Sequence, residues 1–203
     1  MQDIDSGLRD ISQIRSMMEA ATKFLSLSGL SGISAGLVAL AGAWIGAEIL
    51  ASGGGSTVRS LLLLAVVVLL LAVGLSLLFS RRMAKKRGLP FWNATARRLL
   101  LALGIPLAAG GAFCIILLAH EVYLLIPGTM LLFYGLALVN GSTFTLGEVR
   151  YLGLLEMLLG IVAGFWTDYG LVFWAIGFGL LHMLYGIAMY LKYERETAAR
   201  TAE

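Results

Sequence analysis

Six long apolar runs follow one another along the 203-residue chain, near residues 24–49, 60–80, 98–119, 122–140, 150–166 and 170–191. A helix that crosses a bilayer needs about 20 mostly apolar residues, because ~30 Å of hydrocarbon at 1.5 Å per residue sets that length. The runs are continuously apolar, with none of the period-two alternation of barrel strands, so they predict helices. The fifth is the shortest and contains Glu156. Composition excludes the soluble alternative. Apolar side chains make up 59% and charged ones 13%, whereas a soluble domain carries about 25% charged residues. A compact soluble fold of this size has no interior large enough to hide so much apolar surface. The predicted fold class is all-α: a polytopic membrane protein of six transmembrane helices arranged as three tandem αα-hairpins, with an interfacial N-terminal helix.

Lys and Arg set the predicted direction. With the N-terminus cytoplasmic, Arg9, Arg15, Lys23, Arg81, Arg82, Lys85, Lys86, Arg87, Arg97, Arg98, Arg150, Lys192, Arg195 and Arg200 all fall inside, and Arg59 alone falls outside. That asymmetry predicts both termini in the cytoplasm; the expected location is the bacterial inner membrane. The first 23 residues mix acids and bases and have no small-residue cleavage site, unlike a signal peptide. They carry Ile4, Leu8, Ile11, Ile14 and Met18 at helical spacing, which predicts an amphipathic helix on the inner membrane surface. Residues 24–192 form the predicted transmembrane domain, and 193–203 a cytoplasmic tail. The inner loop 81–98 (RRMAKKRGLPFWNATARR) holds Arg81, Arg82, Lys85, Lys86, Arg87, Arg97 and Arg98 around Phe91 and Trp92. It reads either as a positive-inside anchor or as a contact site for anionic lipid or a partner. The Asn93-Ala94-Thr95 sequon lies on the cytoplasmic side and is set aside. A net charge of +3 is too small to argue for nucleic acid.

The chain also repeats itself. Residues 153–161 read GLLEMLLGI and 179–187 read GLLHMLYGI, seven of nine positions being identical, with Glu156 aligned on His182. The fourth run carries a weaker copy in Gly128, Tyr134, Gly135 and Ala137; the first has Gly29 and Gly36, the third Gly104 and Gly111. Seven residues turn a helix through about 700°, so each glycine pair shares one face. In lipid, small residues that let backbones approach hold helices together, and these faces are predicted packing surfaces. The spacing, best over 151–190 (YLGLLEMLLGIVAGFWTDYGLVFWAIGFGLLHMLYGIAMY), resembles the glycine-spaced hairpins of the six-span acid-resistance membrane proteins of the HdeD-like type. The resemblance implies a six-span bundle and a stress-related role. It departs from that pattern at the hairpin turn, where Thr167-Asp168 replaces the expected proline.

Ionisable residues inside spans are costly and are candidates for function. Glu156 lies 12 residues before Asp168 and His182 lies 14 after it, so their depths differ by only about 3 Å and they can meet across the turn. Tyr185, one turn from His182, and Tyr134, at similar depth in the fourth span, are further hydrogen-bonding groups. Two uses follow: mutual satisfaction that fixes helix register, or a ligand-binding or proton-relay site. Haem on His182, alone or shared between two protomers, is a third. His120 is about 20 Å away in depth, too far to share one haem within a monomer. Cys114 is the single cysteine, so neither a disulfide nor a CxxC metal framework is expected. No P-loop, GxSxG, HExxH or dinucleotide fingerprint is present, and no enzyme is expected. No metal site and no resident cofactor are expected either. The reading is a non-enzymatic inner-membrane protein, stress-related or binding a small ligand or lipid. Its expected partners are membrane lipids, some anionic, and a second copy or another protein. The alternative is a small proton-coupled transporter or haem-binding protein using Glu156 and His182. Three hairpins lack the two inverted halves common in carriers.

Overall fold

A computed structural model describes residues 28–53, 57–86, 88 and 90–194, and every regular element among them is helical. The predicted surface helix over 1–23, Arg87, and residues 195–203 of the tail lie outside the described residues. Six helices follow in chain order: α1 (Gly29–Ser52), α2 (Thr57–Lys86), α3 (Ala94–Ala119), α4 (Ile126–Gly141), α5 (Glu148–Phe165) and a composite α6. This last helix starts as α over Gly170–Trp174, widens to π over Ala175–Leu181, returns to α over His182–Met189 and ends in a second π stretch, Tyr190–Glu194.

Local chemistry sets the ends. Ser28 caps α1 by accepting the Leu30 N–H at 3.2 Å, and Gly53, at φ +59°, terminates it in the left-handed region where glycine carries no penalty. Asn93 caps α3 by accepting the Ala96 N–H at 2.7 Å, which gives the sequon residue a structural use. Pro127 stands in the first turn of α4, where a missing N–H costs nothing. Because α2 continues through Arg81, Arg82, Lys85 and Lys86, the basic loop is shorter than the sequence suggested. Among the described residues, five helical segments are long and apolar enough to cross a membrane. The exception is α5, which holds Glu148, Arg150 and Glu156 within 18 residues.

The helices pack in the order α2, α1, α6, then α4 with α5, with α3 on the far side of α4. Two contacts are antiparallel glycine zippers. In the α4–α5 pair, a Cβ added at Gly135 would stand 2.5 Å from the Gly153 carbonyl oxygen, and one at Gly160 would stand 2.7 Å from that of Gly128. In the α1–α6 pair, a Cβ at Gly186 would stand 2.6 Å from the Gly29 oxygen, and one at Gly36 would stand 2.6 Å from that of Gly179. Four of the five sequence pairs are thus backbone contacts.

Two expectations need correction. Gly104 and Gly111 of α3 face open space; α3 instead receives Phe133 of α4 at Gly110, and Asn140 of α4 donates to the Ala102 carbonyl at 2.8 Å. The repeat in spans five and six also does not make α5 and α6 each other's main partner. Each helix has one glycine stripe, and that of α5 is taken by α4 while that of α6 is taken by α1. Glu156 and His182 sit at equivalent places, roughly 50° around the helix from those stripes at 100° per residue. Both are therefore left free to turn toward the interior between the two zipped pairs. At one end, Lys192 of α6 meets Glu148 of α5 at 2.5 Å, an exposed pair worth under about 1 kcal/mol.

Candidate functional site

Glu156, halfway along α5, is fully buried, at 0% exposure. Neither carboxylate oxygen has a hydrogen-bond partner among the described residues. The nearest polar group is the His182 imidazole, with Nδ1 3.3 Å from Oε1, close enough to pair but not aligned as a hydrogen bond. The carboxylate occupies a hollow that exists because residue 177 is glycine. A Cβ there would stand 2.5 Å from Oε2 and would also collide with Leu131. Leaving a buried polar group unpaired costs about 1–3 kcal/mol, and more when it is charged.

His182 opens the second α-helical stretch of α6 and is likewise buried. Its Nε2 lies 2.8 Å from the Tyr134 hydroxyl of α4, and its Nδ1 lies 3.0 Å from the Gly177 carbonyl. A carbonyl only accepts, so Nδ1 carries a hydrogen, and in the neutral imidazole Nε2 then accepts from the Tyr134 O–H. That assigns the tautomer. The Nδ1–H thus has two acceptors within reach, one of them the carbonyl of a π-helical residue. Rings line one side of the site: Trp174 packs on Phe178 at 5.1 Å between centroids, Phe178 on Tyr134 at 5.0 Å, and Tyr134 on His182 at 5.3 Å. Tyr185 packs beside Tyr134 against Leu138, Val149 and Leu152.

Three of the four residues predicted for this site therefore form one chain of contacts, Tyr134–His182–Glu156, drawn from α4, α6 and α5, and Tyr185 flanks it. The arrangement can hold and pass a proton, since phenol, imidazole and carboxylate are successive donor–acceptor groups. Iron at the His182 Nε2 would have to displace the Tyr134 hydroxyl. Among the described residues no three His, Cys, Asp or Glu side chains stand together to hold a metal ion. The basic residues lie elsewhere: Arg81, Arg82, Lys85 and Lys86 end α2, and Arg97 and Arg98 begin α3, all exposed, with the Arg81 guanidinium 5.2 Å from the centre of the Phe91 ring. Two features escaped sequence reasoning, the role of Gly177 and the π stretch around it. Their only trace is a second, closely spaced glycine in Gly177-Phe178-Gly179, off the seven-residue spacing.

No protein-family model matches the chain, and no curated protein and no solved structure matches it significantly.

Proposed function

We propose that this chain is a non-enzymatic integral protein of the bacterial inner membrane, with six spans and both termini cytoplasmic, that binds and releases a proton at Glu156–His182–Tyr134 and acts through lipid or protein partners. The observation that carries this reading is the fully buried Glu156 carboxylate, without a hydrogen bond of its own and 3.3 Å from an imidazole. Ionisable groups held at such cost inside a membrane bundle serve function by default.

Several features support the setting. Leu70 of α2 and Ile105 of α3 are 66% and 68% exposed, a surface suited to lipid. In α5 the exposed face is Leu154, Leu155, Leu158 and Ile161, while Glu148 and Arg150 lie in its first turn and Glu156 points inward. Its 18 residues span about 27 Å, so α5 serves as the sixth crossing despite its charges. The exposed cations at the α2–α3 end suit anionic headgroups. The resemblance of 151–190 to HdeD-like acid-resistance proteins agrees with a proton-responsive role.

Difference infrared spectroscopy tests the site. The wild-type protein should show a protonated-carboxyl C=O band that responds to pH and is missing in Glu156→Gln. A spectrum without that band would remove proton binding at Glu156. Topology is tested separately, in a chain with Cys114 replaced by alanine. A cysteine at exposed Asp168 should react with an impermeant thiol reagent in whole cells, and one at exposed Trp92 should not. The reverse pattern would invert the orientation.

A further inference from the structure

We infer that proton loading of Glu156 is a conformational switch: it takes the His182 Nδ1–H away from the Gly177 carbonyl and so releases the π stretch of α6 that seats this helix against α1. The inference rests on the proton-binding reading above and adds what the bound proton does.

Starting from Glu156 as a carboxylate and a neutral imidazole, His182 Nδ1–H bonds the Gly177 oxygen at 3.0 Å, and Nε2 accepts from Tyr134 at 2.8 Å. An incoming proton arrives on the Tyr134 oxygen as the Tyr134 hydrogen passes to Nε2. The Nδ1 hydrogen then passes to Glu156 Oε1, 3.3 Å away. The net change is one proton gained by the carboxylate. Tyrosine ends with one hydrogen as it began, and the imidazole stays neutral with its hydrogen moved from Nδ1 to Nε2. In the loaded arrangement Glu156 O–H donates to Nδ1, and Nε2–H donates to the Tyr134 oxygen. The Gly177 carbonyl has lost its side-chain donor.

That carbonyl belongs to the seven-residue π stretch Ala175–Leu181. Histidine is placed to reach it because five residues of π-helix, at about 4.4 residues per turn, bring positions 177 and 182 nearly onto one face, whereas in an α-helix they stand about 140° apart. Short π segments inside α-helices recur at functional sites. The same stretch holds Gly179, against Leu40 and Gly36 of α1. Loosening it loosens the Gly36–Gly179 end of the α1–α6 zipper.

Among the described residues, the groups that face the switch are few. Tyr134 comes from α4, Glu156 from α5, and His182 and Tyr185 from α6 itself. From α1, the residues against α6 include Gly29, Gly32, Ile33, Gly36, Leu40 and Gly46, none of which titrates. The Glu148–Lys192 pair ties α5 to α6 at the rim, ten residues beyond His182.

The test uses the full-length protein in lipid nanodiscs and reads two quantities on one sample, the Glu156 infrared band and amide hydrogen exchange of peptides covering 175–181, corrected for intrinsic exchange. On acidification the wild type should gain the band and exchange this segment on the order of tenfold faster. Glu156→Gln, close in shape, should exchange at one corrected rate at every pH. Tyr134→Phe, which removes the entry group, should lose the response while remaining folded. A band that titrates while exchange stays flat would overturn the switch and leave proton binding standing. A pH response that persists in Glu156→Gln would also overturn it. Absence of the band would overturn both.

Discussion

Leucine in place of Gly135 or of Gly186 should take the bundle apart, whereas leucine in place of Gly104 or Gly111 should leave its thermal stability in detergent unchanged. The difference lies in what the added atoms meet. At Gly135 a Cβ falls 2.5 Å from the Gly153 oxygen and 2.6 Å from the Met157 nitrogen; at Gly186 it falls 2.5 Å from the Ile33 nitrogen and 2.6 Å from the Gly29 oxygen. Those are backbone atoms and cannot rotate aside, so the helix pair must separate along its length. Overpacking a core costs about 1–3 kcal/mol when side chains can shift. Here they cannot, and the expected loss is about 3 kcal/mol or more. Gly104 and Gly111 have nothing within 4 Å, so a leucine there extends into open space. Equal melting temperatures for all four variants would mean that the glycine stripes do not hold the helices together.

How far this was legible in the sequence depends on which interaction is asked about. Helices were readable because spanning length and continuous apolarity are local properties. The glycine stripes were readable because seven-residue spacing needs only helix geometry, and the meeting of Glu156 with His182 because both depths are counted from one short turn. Which stripe meets which was not readable. Gly29/Gly36, Gly104/Gly111 and Gly153/Gly160 have the same spacing, and only the three-dimensional arrangement decides that α3 presents Gly110 to Phe133 while its other two glycines stay open. Gly177 was hidden for a related reason: its function is the absence of a side chain beside a carboxylate 21 positions away in sequence.

The two central residues of the site should respond to removal in opposite directions. His182 satisfies two neighbours, the Tyr134 hydroxyl and the Gly177 carbonyl. Replacing it with leucine leaves the Tyr134 hydroxyl without its imidazole partner, at about 1–3 kcal/mol, and takes the side-chain donor from the Gly177 carbonyl, so the protein should melt lower. Glu156 satisfies nothing by hydrogen bonding. Replacing it with methionine, unbranched and similar in length, removes a desolvated carboxylate and fills the same hollow against Leu131 and Gly177. Exchanging buried charges for well-packed apolar side chains is often neutral or stabilising by about 1–4 kcal/mol, so Glu156→Met should melt at or above the wild-type temperature while its infrared band and its pH response disappear. Such a gain in stability at the loss of a response marks a residue retained for what it does. If Glu156→Met instead melts well below wild type, the carboxylate contributes to the fold through His182. The pair would then be a structural lock, and the double variant would lose less than the sum of the two single losses.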